Sequence, residues 1–269
     1  MKNERRVCSE VHLCCLTIAG SDSGGNAGVQ ADLRAFHAYK LHGCTVFTAL
    51  TAQNPNGVYA INEIAPDFVG AQLDAVLGTY SIAALKTGML GSAGVVEAVV
   101  DRLKAYPAIA KVVDPVMVAT SGAELAGSAT RKAMEERLLP LATLITPNIP
   151  EAEALSGRTI VSPRDVREAA KRLYGKFGAA VLIKGGHRTR DTGDAEDILF
   201  DGREYSSFSL PQIENPISTH GTGCTLSAAV AAELALGRSL KDAVKGAKAY
   251  VHQAIRKSYL VGENCGVLH

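Results

Sequence analysis

The densest run of potentially reactive groups is His220-Gly221-Thr222-Gly223-Cys224-Thr225, directly ahead of an alanine-rich stretch of helical length. Two glycines let the main chain close tightly around a ligand. The first turn of a helix there would present unpaired N–H groups and the positive end of its dipole. Gly221, Thr222, Gly223 and Cys224 therefore suit a phosphate or oxyanion gripped by backbone amides. The competing reading is an ordinary tight turn capped by Thr222, so the rest of the chain must decide. Neither GxxxxGK[ST] nor GxGxxG occurs, which removes the Walker and dinucleotide-fingerprint assignments.

Other candidates stand at the ends of apolar runs. Asp114 closes Val-Val-Asp-Pro-Val-Met, and Glu151 follows Thr-Pro-Asn-Ile-Pro. Two carboxylates on neighbouring strand ends suit Mg²⁺, a hard cation that takes one or two carboxylates and keeps several waters. Lys184, at the end of Val-Leu-Ile-Lys-Gly-Gly, would neutralise phosphate charge if it faced a nucleotide. These residues fit phosphoryl transfer. A reading of another class makes Cys224 a nucleophile, its pKa lowered by the helix start and His220 nearby as base. That thiol hydrolase leaves Asp114, Glu151 and Lys184 without a task. A ligand-binding protein without catalysis is the third possibility.

The elements that must position these groups follow from the apolar pattern. Short, continuously apolar runs at 13–19, 44–49, 82–86, 111–114, 142–146 and 179–184 read as strands covered on both faces. Helical segments alternate with them at 29–39, 67–77, 95–104 and 163–176, the last with Ser162 as N-cap and Pro163 at the first helical position. This alternation predicts an α/β fold with a mostly parallel central sheet and helices on both faces. The stretch 198–208, with Asp201-Gly202 in its middle, reads as a β-hairpin and hence an antiparallel edge. Two helices, 222–236 and 240–257, close the chain. No linker or repeat divides it, so one domain over 13–269 is expected, preceded by a poorly ordered extension at 1–12. The polar, glycine-rich segments 20–28, 51–57, 87–91, 114–122, 146–151 and 184–187 all follow strands, where ligands of such sheets bind.

Composition narrows the partners. The 269 residues carry 28 basic and 27 acidic side chains, without the cationic excess that a nucleic-acid binder needs. No apolar run approaches the roughly 20 residues of a membrane span, and residues 1–10 do not resemble a secretory signal. Six cysteines, two of them adjacent at 14 and 15 and none in a CxxC pair, fit reduced thiols and a cytoplasmic location. His37, His42 and Cys44 read as a helix end and the following strand rather than a zinc site. Cys14 and Cys15 read as core filling.

Several segments together are similar to the hydroxymethylpyrimidine/phosphomethylpyrimidine kinases of thiamine biosynthesis, in the ribokinase-like superfamily. They are 17–32 (TIAGSDSGGNAGVQAD), 48–54 (TALTAQN), 86–90 (KTGML), 113–119 (VDPVMVA), 146–148 (TPN), 182–187 (LIKGGH) and 220–229 (HGTGCTLSAA). The resemblance implies a single-domain ribokinase-like fold, ATP as cosubstrate and Mg²⁺ as cofactor. It implies phosphorylation of 4-amino-5-hydroxymethyl-2-methylpyrimidine to the monophosphate and then the diphosphate, by a homodimer. Carried over residue by residue, it places Asp32 near the substrate hydroxymethyl group and Gln53 on the aminopyrimidine edge. Gly20, Met89 and Val116 line the pocket, and 221–224 form the anion hole. Asp114 and Glu151 fall on the metal side, Lys184 and Asn148 on the nucleotide side with Thr222. Asp32 and Cys224 both stand as candidate proton acceptors. Asn26 departs from the family's glycine or serine, and Thr120 from a frequent lysine. Pyridoxal or pyridoxine kinase, acting on another flat ring with a hydroxymethyl group, is the nearest alternative. Apolar positions at 39–47 give a weak independent hint of self-association.

Overall fold

The computed structural model describes residues 12–117, 125–185, 194–261 and 265–268. Most of the expected extension, and Thr120, lie outside the described residues.

The chain opens with β1 (Cys14–Asp22), α1 (Gly28–Ala38), β2 (His42–Asn54) and β3 (Gly57–Glu63), followed by α2 (Pro66–Leu77), β4 (Ile82–Thr87) and α3 (Ala93–Leu103). Then come β5 (Ala110–Val113), the short α4 (Ser128–Ala133), β6 (Leu144–Ile145), α5 (Ile149–Ser156) and α6 (Pro163–Phe177). β7 (Ala180–Ile183), β8 (Asp194–Phe200) and β9 (Tyr205–Pro211) complete the main sheet. α7 (Thr222–Ala235), α8 (Leu240–Arg256) and a small ribbon, β10 (Tyr259–Leu260) with β11 (Gly266–Val267), end the chain.

Among the described residues, nine strands form one sheet in the order β3-β2-β1-β4-β5-β6-β7-β8-β9. The six from β2 to β7 pair in parallel. The expected hairpin is β8–β9, antiparallel to each other and to β7; at its turn Gly202 has φ +96° and Asp201 accepts the Arg203 and Glu204 N–H groups. A second antiparallel edge, β2–β3, was not foreseen. Residues 51–57 read as a polar loop, yet β2 runs on to Asn54. The reason is that β3 is a largely exposed edge strand, so this ribbon lacks the continuous apolarity of a strand covered on both sides.

Two cores sandwich the sheet. Cys14, Leu16 and Ile18 of β1 face a core shared with α2, α3, α5 and α6. Cys15, between them, faces α1, α7 and α8, as the two-residue period of a strand requires. Cys15 is wholly buried and Cys14 nearly so, in keeping with core filling. α7 is buried at nine of its positions because small alanines let it lie close to the sheet. Within the stretch 39–47, Leu41, Cys44 and Val46 are core residues, while Tyr39 and Phe47 are partly exposed. His42 stacks on Tyr80.

Candidate active site

Because β1 leads to β2 on one side while β4 lies on its other side, the strand order reverses at β1. The carboxyl ends there open a crevice, the usual ligand position in such sheets. A cavity of about 460 Å³ occupies it, within the range of small-molecule sites. Gly20, Gln53, Met89, Val116, Asp114, Asn148, Glu151, Lys184 and residues 221–224 all line it. Of the residues proposed from sequence, Asp32 alone does not. It is wholly buried.

Gly221 caps α7 at φ +83°, and a Cβ there would come within 1.9 Å of the Asn26 carbonyl oxygen. Both the left-handed conformation and the close approach require glycine. Thr225 donates to the Gly221 carbonyl, while the amides of Gly223 and Cys224 have no acceptor among the described residues. These are the open donors that a helix start leaves, and they face the cavity. The open amides therefore stand where an anion cradle is expected from sequence.

Around it the charges are arranged in pairs. Lys184 donates to Asp114 at 2.8 Å and stands about 3.5 Å from where a Cβ of Gly223 would be. Burial works against its ammonium, but Asp114 and Glu151 outweigh that and hold it charged. Asp114 also accepts from Ser227 of α7. Asn148 and Glu151 cap α5 reciprocally: each side chain accepts the other's main-chain N–H, at 2.9 and 2.8 Å. Burial lifts the Glu151 carboxyl to about 7; Lys184 opposes this and Asp114 reinforces it.

On the other flank, Ser23 bonds both the N–H and the carbonyl of Gln53. The Gln53 side-chain oxygen accepts from the Thr51 hydroxyl at 3.1 Å, which holds the amide at the cavity wall that Met89 and Gly20 also line. Burial pushes the Cys224 thiol up, although Lys86 pulls the other way. The helix start therefore does not win at Cys224, and the thiol is neutral near pH 7. His220 Nε2 has no hydrogen-bond partner among the described residues and lies 3.9 Å from Asp22, so it is not arranged as a base for Cys224.

Four functional-looking residues escaped the sequence reading. Asp22 accepts the N–H groups of Gly24, Asn26 and Ala27 and shapes the loop that meets Gly221; its Asp-Ser-Gly-Gly context is a turn signal that could have exposed it. Lys86 is the penultimate residue of β4 and Lys184 directly follows β7, and that parallel was available. Asp197 and Lys248 form a buried pair at 2.7 Å in the cavity wall, and Asp197 also accepts the Gly185 N–H. They are 51 residues apart, without any local pattern.

Residues 22–269 match the family model described as phosphomethylpyrimidine kinase. The chain belongs to this family. It is 46% identical to the hydroxymethylpyrimidine/phosphomethylpyrimidine kinase of Haemophilus influenzae, over 93% of this chain and 94% of that one. It is 47% identical, over 93% of its length, to the thiamine biosynthesis bifunctional protein ThiED of Geobacter sulfurreducens, and spans about half (51%) of that longer protein. Among solved structures, an ADP complex of Bacillus subtilis pyridoxal kinase superposes with a TM-score of 0.86 at 37% identity, covering 96% of this chain and 97% of that one. The ribokinase-like reading of the fold and the kinase reading of the chain both stand. Among the described residues, no helix is long and apolar enough to cross a membrane.

Proposed function

We propose that this kinase phosphorylates 4-amino-5-hydroxymethyl-2-methylpyrimidine with ATP, and then phosphorylates the monophosphate to the diphosphate, in the cytoplasm and as a homodimer. The observation that carries the reading is the position of the open amides of Gly223 and Cys224. They lie in one cavity with Lys184 on one side and the Gln53–Met89 pocket on the other. Gln53 offers both a donor and an acceptor to an aminopyrimidine edge. The acceptor oxygen attacks the γ-phosphorus, the bond to the bridging oxygen breaks, and ADP leaves. In the first transfer the hydroxyl proton passes to an oxygen of the transferred phosphoryl group, and in the second the acceptor phosphate is already ionised. Charge on the moving phosphoryl group falls on the 221–224 amides, the positioning and electrostatic work that dominates this chemistry.

Asp114 and Glu151 fit Mg²⁺ in donor chemistry: two buried carboxylates facing one space where nucleotide phosphates would supply further oxygens. No group of three or more potential metal-ligating side chains occurs among the described residues. When bound, the metal would neutralise phosphate charge. Lys184 holds the phosphates, with Asn148 and Thr222 beside them. Asp32 is engaged by Lys86 and Thr17 and acts through Lys86 rather than as the base.

Pyridoxal kinase is the second reading, favoured by the superposition on the Bacillus enzyme. Purified protein assayed with ATP against hydroxymethylpyrimidine, its monophosphate and pyridoxal decides between them, with and without EDTA. The expected result is turnover of both pyrimidines, abolished by EDTA. Turnover of pyridoxal alone transfers the assignment. ATP-independent hydrolysis would restore the cysteine-hydrolase reading.

A further inference from the structure

The second transfer asks this site to accept an anion beside another anion. A phosphate monoester carries between one and two negative charges near neutral pH, and it must approach the γ-phosphoryl group of ATP. Lys184 and the metal-side carboxylates face the nucleotide. At the acceptor end, among Gly20, Gln53, Met89, Val116 and Lys86, only Lys86 is cationic. Asp22, nearby, is already satisfied by three main-chain amides.

Lys86 is held unusually firmly. It is wholly buried, and its Nζ lies 3.0 and 2.8 Å from the two carboxylate oxygens of Asp32. Thr17 donates to the same carboxylate at 2.6 Å. Of the three ammonium hydrogens, the carboxylate can engage two, and no other acceptor is bonded among the described residues. Gly88 leaves the space beside it open: a Cβ there would stand 2.7 Å from Nζ. The pair is oriented, because Lys86 contributes to the cavity wall and Asp32 lies behind it. At the Cys224 thiol, the pull of Lys86 exceeds the push of Asp32.

We propose that Lys86 is a specificity-determining residue whose buried ammonium, fixed by Asp32 and Thr17, offsets the charge of a phosphorylated acceptor and so permits the second transfer. This rests on the two-step reading above. The cradle is thus flanked by two lysines with separate tasks, Lys184 for the nucleotide and Lys86 for the acceptor. The alcohol, which is neutral, gains little from Lys86.

The test compares kcat/KM for the alcohol and for the monophosphate. Lys86→Met alone would strand a buried carboxylate, so it is combined with Asp32→Asn, which removes both charges and keeps the shapes. The monophosphate-to-alcohol ratio should fall on the order of tenfold, through KM for the monophosphate. A merely structural role lowers both reactions alike, and an unchanged ratio overturns the inference. If the double variant does not fold by circular dichroism, Asp32→Asn alone decides. Burial works against the Lys86 ammonium and Asp32 is what opposes it, so without that counter-charge the amine loses its proton. The ratio should then fall through KM for the monophosphate; a constant or rising ratio overturns the inference. Wild-type protein that phosphorylates neither pyrimidine removes the functional reading and this inference together. Turnover of both with an unmoved ratio removes only the inference.

Discussion

At Cys224 two effects compete, and burial wins over the helix start. A neutral thiol facing the acceptor repels nothing, whereas a carboxylate at the same point would repel an incoming phosphate. At about 4 Å and an effective dielectric of 20 that repulsion is about 4 kcal/mol. Cys224→Asp should therefore impair the monophosphate reaction far more than the alcohol reaction, by a factor of a hundred or more in relative kcat/KM. Equal losses in steady-state assays of the two acceptors would count against the charge argument. At this scale the sequence was informative where a residue ends a motif. Lys184, Gln53 and Cys224 each stand beside turn residues that betray a strand or helix end. Asp32 was expected beside the substrate, but it sits mid-helix on the buried face of α1. Nothing in its neighbours says that its partner is Lys86, 54 residues away.

The start of α7 is the element on which transfer depends. Gly221 is left-handed and pressed against the first loop, so Gly221→Ala should cost stability and displace the amides of Gly223 and Cys224 together. A loss of about a hundredfold in kcat, the size seen when one oxyanion donor is removed, is expected in single-turnover phosphoryl transfer. Its thermal midpoint should also drop. A variant with wild-type kcat would show that the cradle is not the transferring group's site. The turn itself was legible because two glycines before an alanine run have few other uses. The β2–β3 ribbon was not, since its exposed edge carries no apolar signature.

Across the whole molecule, the acceptor loop and the cradle are tied through Asp22. Burial works to raise its carboxyl, but His220 and the amides of Ala27, Gly24 and Asn26 overcome this and hold it below the usual 3.8. A carboxyl that ionises more readily when folded stabilises the protein fully above its unfolded value and loses that contribution as pH falls through the folded one. Thermal midpoints measured from pH 6 to pH 3 should therefore drop more steeply below about pH 4 for the wild type than for Asp22→Asn; parallel curves would refute the tie. The sequence alone determined the alternation of strands and helices, the parallel core of the sheet, the anion cradle and the strand ends that carry charge. Those features are written in short windows, where period and turn chemistry act on adjacent residues. The tertiary structure decided which distant charges meet. Asp32 finds Lys86, Asp197 finds Lys248, Asp22 approaches His220, and burial raises the Cys224 thiol so that it keeps its proton. Each is set by burial and by approach across elements, and neither quantity exists until the sheet has closed under its helices.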